Sequence, residues 1–254
     1  MKTCQDFFAT IQWDKIAKMF LEKEEGTSRK PHYISKPKHT PQTPRRAVFF
    51  DSESIVPDEG EIREHEPYLI CAIFRDYERN STRKTTYGSE KARKWREDIR
   101  PLDLFWEDLA KYAKKKDLTW VFAHNIGYDL LATGATPKLF EMGYKSITYP
   151  YEKGSTFIWE LAKPNKEPRF CENCEPEKPC RTCQRIRKNL YNIRFVSSSN
   201  YFVEPLAKLG EIFGTEKLHQ GEDEKINFAK LDEYPLDMVE TYCARDTEIV
   251  QKAM

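Results

Sequence analysis

The sequence predicts a mixed α/β domain in which a mixed sheet is flanked by helices. Three stretches carry that expectation. Ala47-Val48-Phe49-Phe50 is an apolar run that leads into Asp51-Ser52-Glu53, the pattern of a buried strand ending in polar sequence. Leu118-Thr119-Trp120-Val121-Phe122-Ala123 is a short apolar run of the kind found in the middle of a sheet, and helical spacing follows it at once. The chain then closes on a helix from about residue 234 to 254. Strands and helices interleaved in this way pack as layers.

Taken in order, residues 1–25 form an amphipathic N-terminal helix, with Phe7, Phe8, Ile11, Ile16, Met19 and Phe20 near one stripe. Residues 26–46 are a basic linker whose prolines (Pro31, Pro37, Pro41 and Pro44) exclude a helix or central strand. It is a solvated tether or a phosphate-contacting arm. The domain spans 47–254. Strands at 47–53, 68–74 and about 83–87 make an antiparallel meander. A helix over 101–116 ends in lysines that suit its dipole. Next come the strand 118–123, a helix from Asp129 through Phe140, strands at 144–149 and 156–162, and an insertion at about 164–189. A strand at 191–197, a helix at 205–213 and the closing helix complete the order.

Composition bounds the function. The 254 residues are 33% charged, 39% hydrophobic and 13% aromatic, which describes a well-filled globular chain. A net charge of +1 gives no global attraction to nucleic acid, so any anion-binding surface comes from uneven distribution. No apolar run has the length of a membrane span, and no signal peptide opens the chain. Seven cysteines are present, four of them between residues 171 and 183. That is a metal site in a reducing compartment, cytoplasmic, nuclear or organellar, rather than a secreted disulfide framework.

The chemistry gathers on acids. Residues two apart on a strand share a face, so Asp51 and Glu53 converge. Held together in a buried setting they repel, and a hard divalent cation such as Mg²⁺ or Mn²⁺ relieves the cost. Asp129 opens a helix directly after a buried strand, where open α/β sheets place ligands. Tyr242 and Asp246, four apart, lie on one helix face. Alone, each is ordinary: an acidic turn, a helix cap, a chance spacing.

In this order, Asp51-x-Glu53, Asn125-x-x-Tyr128-Asp129 and Tyr242-x-x-x-Asp246 resemble the three motifs of the DEDDy 3′–5′ exonucleases. The likeness is to the proofreading domain of family B DNA polymerases of the organellar, viral and protein-primed type. The stretch from Phe195 to Asn200, with Leu206-Ala207-Lys208-Leu209 and Phe213-Gly214, is similar to the segment before that group's third motif. The resemblance implies a ribonuclease H-like fold over about 45–254. It implies two Mg²⁺ or Mn²⁺ ions on Asp51, Glu53, Asp129 and Asp246, with Tyr242 and Glu53 orienting the attacking water. Asn125 and Tyr128 would hold the 3′-terminal nucleotide, and a lysine would contact the scissile phosphate, Lys217 and Lys225 both being candidates. His124 reads as structural or as a support for the residues that hold the nucleotide. The Ser-Leu pair of the group is Ser199-Asn200 here, which leaves Ser199 as the substrate contact. The expected function is 3′–5′ hydrolysis of single-stranded DNA ends, with RNA open, alongside a polymerase or other replication or repair proteins. The alternatives are the N-terminal part of a family B polymerase and a docking module that kept the fold.

Cys171-x-x-Cys174 and Cys180-x-x-Cys183 have the spacing of a four-thiolate Zn²⁺ site. The loop around them carries many Lys and Arg and little apolar sequence, so a structural zinc would order it as a basic finger.

Overall fold

The computed structural model describes residues 44–56, 65–114, 117–147, 151–153, 156–164, 190–218 and 226–254. The expected N-terminal helix, all but the last three residues of the linker, the four-cysteine insertion and Lys225 lie outside the described residues.

The strands are β1 (Arg46–Ile55), β2 (Glu66–Asp76), β3 (Ser81–Gly88), β4 (Arg100–Pro101), β5 (Leu118–Ala123), β6 (Lys145–Ser146), β7 (Tyr151–Lys153), β8 (Thr156–Pro164) and β9 (Leu190–Ser197). The helices are α1 (Glu90–Arg93), α2 (Leu104–Tyr112), α3 (Ile126–Ala132), α4 (Ala135–Glu141), α5 (Leu206–Ile212) and α6 (Leu236–Ala253). One mixed sheet runs β4-β3-β2-β1-β5-β9-β8-β6, with β7 also paired to β8. Its centre, β1, β5 and β9, is parallel. The β1–β2–β3 part is the expected antiparallel meander.

The period of two along β1 sorts its side chains between two layers. Val48 and Phe50 pack with Phe105, Trp106 and Leu109 of α2 and with Ile126 and Leu130 of α3. Ala47 and Phe49 turn to the opposite face, against Leu206 and Leu209 of α5 and Ile249 and Val250 of α6. All of these are buried, and each large side chain contributes about 1.5–3 kcal/mol. Further along α6, Val239 and Cys243 join Tyr68, Leu69 and Cys71 of β2. Thr247 Oγ1 of α6 donates to the Cys71 carbonyl at 3.2 Å, which fixes the helix across the sheet. Asp51 and Glu53 continue the register of Ala47 and Phe49, toward α6.

Three expectations are corrected. The helix expected through Phe140 is two, α3 and α4, because Gly134 takes a left-handed φ of 62° and the Thr133 carbonyl is drawn off by the Trp106 indole at 3.2 Å. The helix over 101–116 begins only at Leu104, because Arg100–Pro101 pair with Tyr87 and Gly88 as β4. Arg46, read as the end of the linker, opens β1 and is 1% exposed, which removes it from any phosphate-contacting arm.

Candidate active site

The parallel strands β1, β5 and β9 end at one edge of the sheet, and β1 outruns its neighbour. Its ladder with β5 stops at Phe49↔Phe122, which leaves the next amides of β1 without a strand on that side. Asp129 of α3 fills the gap: its Oδ1 accepts from the Ser52 amide at 3.1 Å and from Ser52 Oγ at 2.6 Å. This aspartate is therefore not a helix cap. It is 3% exposed and tied to the strand residue between the two acids.

From the other layer, α6 presents Tyr242, Cys243 and Asp246. The Cys243 thiol donates to the Asp51 carbonyl at 3.4 Å, seating the helix against the acidic end of β1. Glu53 and Asp246 are buried, and Asp51 is half-buried. Lys217 reaches in from the segment after α5, its Nζ 2.5 Å from Asp246 Oδ2 and 4.7 Å from the centre of the Tyr242 ring. Gly210 makes this approach possible. A Cβ on it would lie 2.6 Å from the Thr215 carbonyl oxygen and 3.0 Å from the Lys217 amide.

The electrostatics follow from that crowding. Burial, and then the charges of Glu53, Asp129 and Asp246, hold Asp51 well above the usual carboxylate range. Burial and the neighbouring Asp246 push Glu53 up to about 8. Burial carries Asp129 to about 7 against the pull of its two Ser52 hydrogen bonds. Asp246 is raised by burial, with Lys217 opposing. For Lys217, burial works against the charge but the Asp246 carboxylate prevails and raises it. Tyr242 is raised, chiefly by burial. Four carboxyl groups thus act on one another with Lys217 as the cation that answers them.

Such a set fits a divalent cation. Ligand atoms of Asp51, Glu53 and Cys243 lie within 4.8 Å of one another, and the buried Asp246 Oδ1 has no hydrogen-bond partner. Carboxylate oxygens brought together in a buried site are the donors that Mg²⁺ and Mn²⁺ take.

The other expected residues lie at the start of α3 and after β5 and β9. Asn125 is exposed at the start of α3, with its side chain making no cap bond. Tyr128 is half-buried; its hydroxyl meets His65 Nδ1 at 2.9 Å, and the two rings are edge-on with centroids 5.3 Å apart. His124 Nδ1 pairs with Ser198 Oγ at 2.9 Å, and Ser197 Oγ donates to the His124 carbonyl at 2.5 Å, so it joins the ends of β5 and β9 as expected of a structural residue. Ser199 sits in the turn after β9, 2.6 Å from Ser197 Oγ. Asn200 is bound twice to the Phe157 backbone of β8, at 2.6 and 2.9 Å, so it anchors that turn. Of the two lysine candidates, Lys217 meets Asp246, and Lys225 lies outside the described residues. Sequence reasoning missed His65, Ser52, Gly210 and the approach of Cys243. For Gly210, a glycine inside a helical pattern just upstream of a candidate lysine was a usable signal; for the others, none was present.

No protein-family model matches the chain. No curated protein matches it. Among solved structures it is similar to Phi29 DNA polymerase complexed with primer-template DNA, in a post-translocation binary complex, at 14% identity and a TM-score of 0.46, over 82% of this chain and 30% of that one. The ternary complex of that polymerase with primer-template DNA and incoming nucleotide substrates gives 14% and 0.46, over 83% and 30%. Its complex with single-stranded DNA gives 13% and 0.45, over 82% and 30%. The chain therefore spans 30% of the length of the polymerase chains it matches.

Proposed function

We propose that this protein is a divalent-metal-dependent 3′–5′ exonuclease acting on single-stranded DNA ends. The observation that carries the reading is the meeting of Asp51, Glu53, Asp129 and Asp246, from three separate elements, beside Tyr242 and Lys217. Burial raises all four, and the charges of neighbouring acids add to the rise at Asp51 and Glu53. A fold gains nothing from such a cluster unless a cation offsets its cost.

In this reading the four acids hold two Mg²⁺ or Mn²⁺ ions, which supply Lewis-acid stabilisation of the attacking and leaving oxygens. Tyr242 and Glu53 hold the attacking water and orient it toward phosphorus. Lys217 turns from Asp246 to a non-bridging oxygen of the scissile phosphate. The face of Tyr128, with its hydroxyl fixed by His65, takes a terminal base by stacking worth about 1–3 kcal/mol. Asn125, exposed beside it, donates to the same nucleotide, and Ser199 contacts the strand from the β9 turn. One structural zinc on Cys171, Cys174, Cys180 and Cys183 orders a basic segment that grips the strand backbone.

The test is a time course on 3′- and 5′-labelled single-stranded and duplex DNA and RNA with Mg²⁺, Mn²⁺ or chelator. Stepwise shortening of single-stranded DNA from the 3′ end, abolished by chelator, is expected. Shortening that survives chelation, internal cleavage, or loss from the 5′ end contradicts the proposal, and preference for RNA would change the substrate while keeping the chemistry.

A further inference from the structure

Cys243 enters none of the steps above, yet its sulphur belongs to the same group of donor atoms. It lies with carboxylate oxygens of Asp51 and Glu53 inside a 4.8 Å span. It is fully buried, on the face of α6 that also carries Asp246 three residues on, and it is a free thiol. Asp246 is 4% exposed and its Oδ1 has no hydrogen-bond partner. The charge of Asp246 bears on both Asp51 and Glu53, so it lies near them, outside the 4.8 Å group.

Two hard carboxylates and a soft thiol are a mixed donor set. Mg²⁺ takes oxygen and leaves sulphur unused, whereas Zn²⁺ and Cd²⁺ bind thiolate readily. Zinc with sulphur at about 2.3 Å and oxygen at about 2.0–2.2 Å in a tetrahedral site brings its ligand atoms to roughly 3.5 Å from one another. The observed span has to close by only a small side-chain adjustment. We propose that Asp51, Glu53 and Cys243 form a binding site for thiophilic divalent metals, and that zinc or cadmium held there blocks the oxygen-only arrangement used with Mg²⁺. On binding, the thiol proton now shared with the Asp51 carbonyl leaves to solvent and the sulphur binds the metal. The binding part of this inference stands on geometry alone; the blocking part rests on the exonuclease reading.

The test titrates Cd²⁺ into the full chain and reads the ultraviolet thiolate-to-cadmium charge-transfer absorbance. The cysteines at 171–183 contribute equally in every variant, so differences between variants report the buried thiols. A contribution present in the native chain and in Cys71→Ser but missing in Cys243→Ser is expected, with Mn²⁺ competing for it. If Cys243→Ser does not fold, Asp51→Asn replaces it, and the same contribution should need about 10–100-fold more cadmium. Equal absorbance in the native chain and Cys243→Ser, an unchanged titration in Asp51→Asn, or loss in Cys71→Ser overturns the site. This readout uses no nucleic acid, so its failure is separate from failure of the exonuclease reading. In the second arm zinc is titrated into the Mg²⁺-supported reaction. Half-inhibition should move to about 10–100-fold higher zinc in Cys243→Ser, and identical curves would overturn the blocking role.

Discussion

Strand β1 buries charge at both ends, and the two ends resolve it in opposite ways. At the first, Arg46 is 1% exposed and lies within 3.4 Å of Asp76, 3.3 Å of Asp117 and 3.9 Å of Glu78. Burial works against the charge on Asp76, but the Arg79 amide and the Arg46 guanidinium hold it below the usual carboxylate range. At the second end, Asp51 and Glu53 meet Asp129 and Asp246, and every one of the four is raised. The first cluster is complete as it stands and serves the fold. The second is short of positive charge, and that shortage is the ground for proposing a cation site there.

Mutations at the two ends should therefore separate activity from stability. The largest effect is expected for Asp51→Ala with Glu53→Ala. A bound metal supplies several kcal/mol of charge stabilisation, and about 1.4 kcal/mol is tenfold in rate, so nuclease activity should fall by at least about a thousandfold. Metal-free thermal stability should not fall with it, because two crowded acids are gone. Substantial cleavage by the double variant would defeat the assignment. Arg46→Met should do the reverse. It removes the cation from the buried Asp76 at a cost of about 3 kcal/mol, or roughly 6–12 °C in Tm, while the rate per folded molecule holds. A thermal melt of both variants beside the wild type checks the opposition directly.

These two ends were not equally legible in the sequence. Asp51 and Glu53 could be read because a strand has a fixed period of two, and Tyr242 with Asp246 because a helix turn does. The strand 118–123 was bounded at its observed ends, since a short apolar run between polar flanks has one way to be buried. Arg46 was misread because the prolines before it spoke for a linker, and its partners Asp76 and Asp117 are distant in sequence. The approach of Lys217 to Asp246 needed α5 and Gly210 in place. Cys71 and Cys243 looked scattered, and only the docking of α6 against the sheet brings Cys243 to the acids of β1. Periodicity reports the face a residue shares with its neighbours; it does not report which remote element arrives there.

Smaller effects sharpen the division between the acids and the residues around them. Tyr242→Phe removes only a hydroxyl, so metal binding should be kept while the rate drops about a hundredfold, near the lower end for a positioned group. Single-turnover kinetics at saturating DNA measure this, and a wild-type rate would show that another group orients the water. Cys171→Ser with Cys174→Ser should release one zinc per chain by metal analysis. The loss should weaken single-strand binding roughly tenfold with a shallower salt dependence, leaving the maximal rate close to unchanged.

The charge deficit itself is tested by melting the metal-free protein across pH and repeating the series with Mg²⁺ or Mn²⁺. The raised acids bind more protons folded than unfolded, so their contribution is fully present below the ordinary glutamate value of 4.5 and is lost as pH rises through about 8, where Glu53 titrates. Without metal, Tm should therefore fall across that window, and Asp51→Asn should flatten the fall. With metal the loss should be offset, and the stabilisation per added ion should grow as pH rises, because ions and protons compete for the same oxygens. A metal-free Tm that does not fall with pH, together with no metal-induced rise at the alkaline end, would contradict the reading of this end of β1 as a cation site.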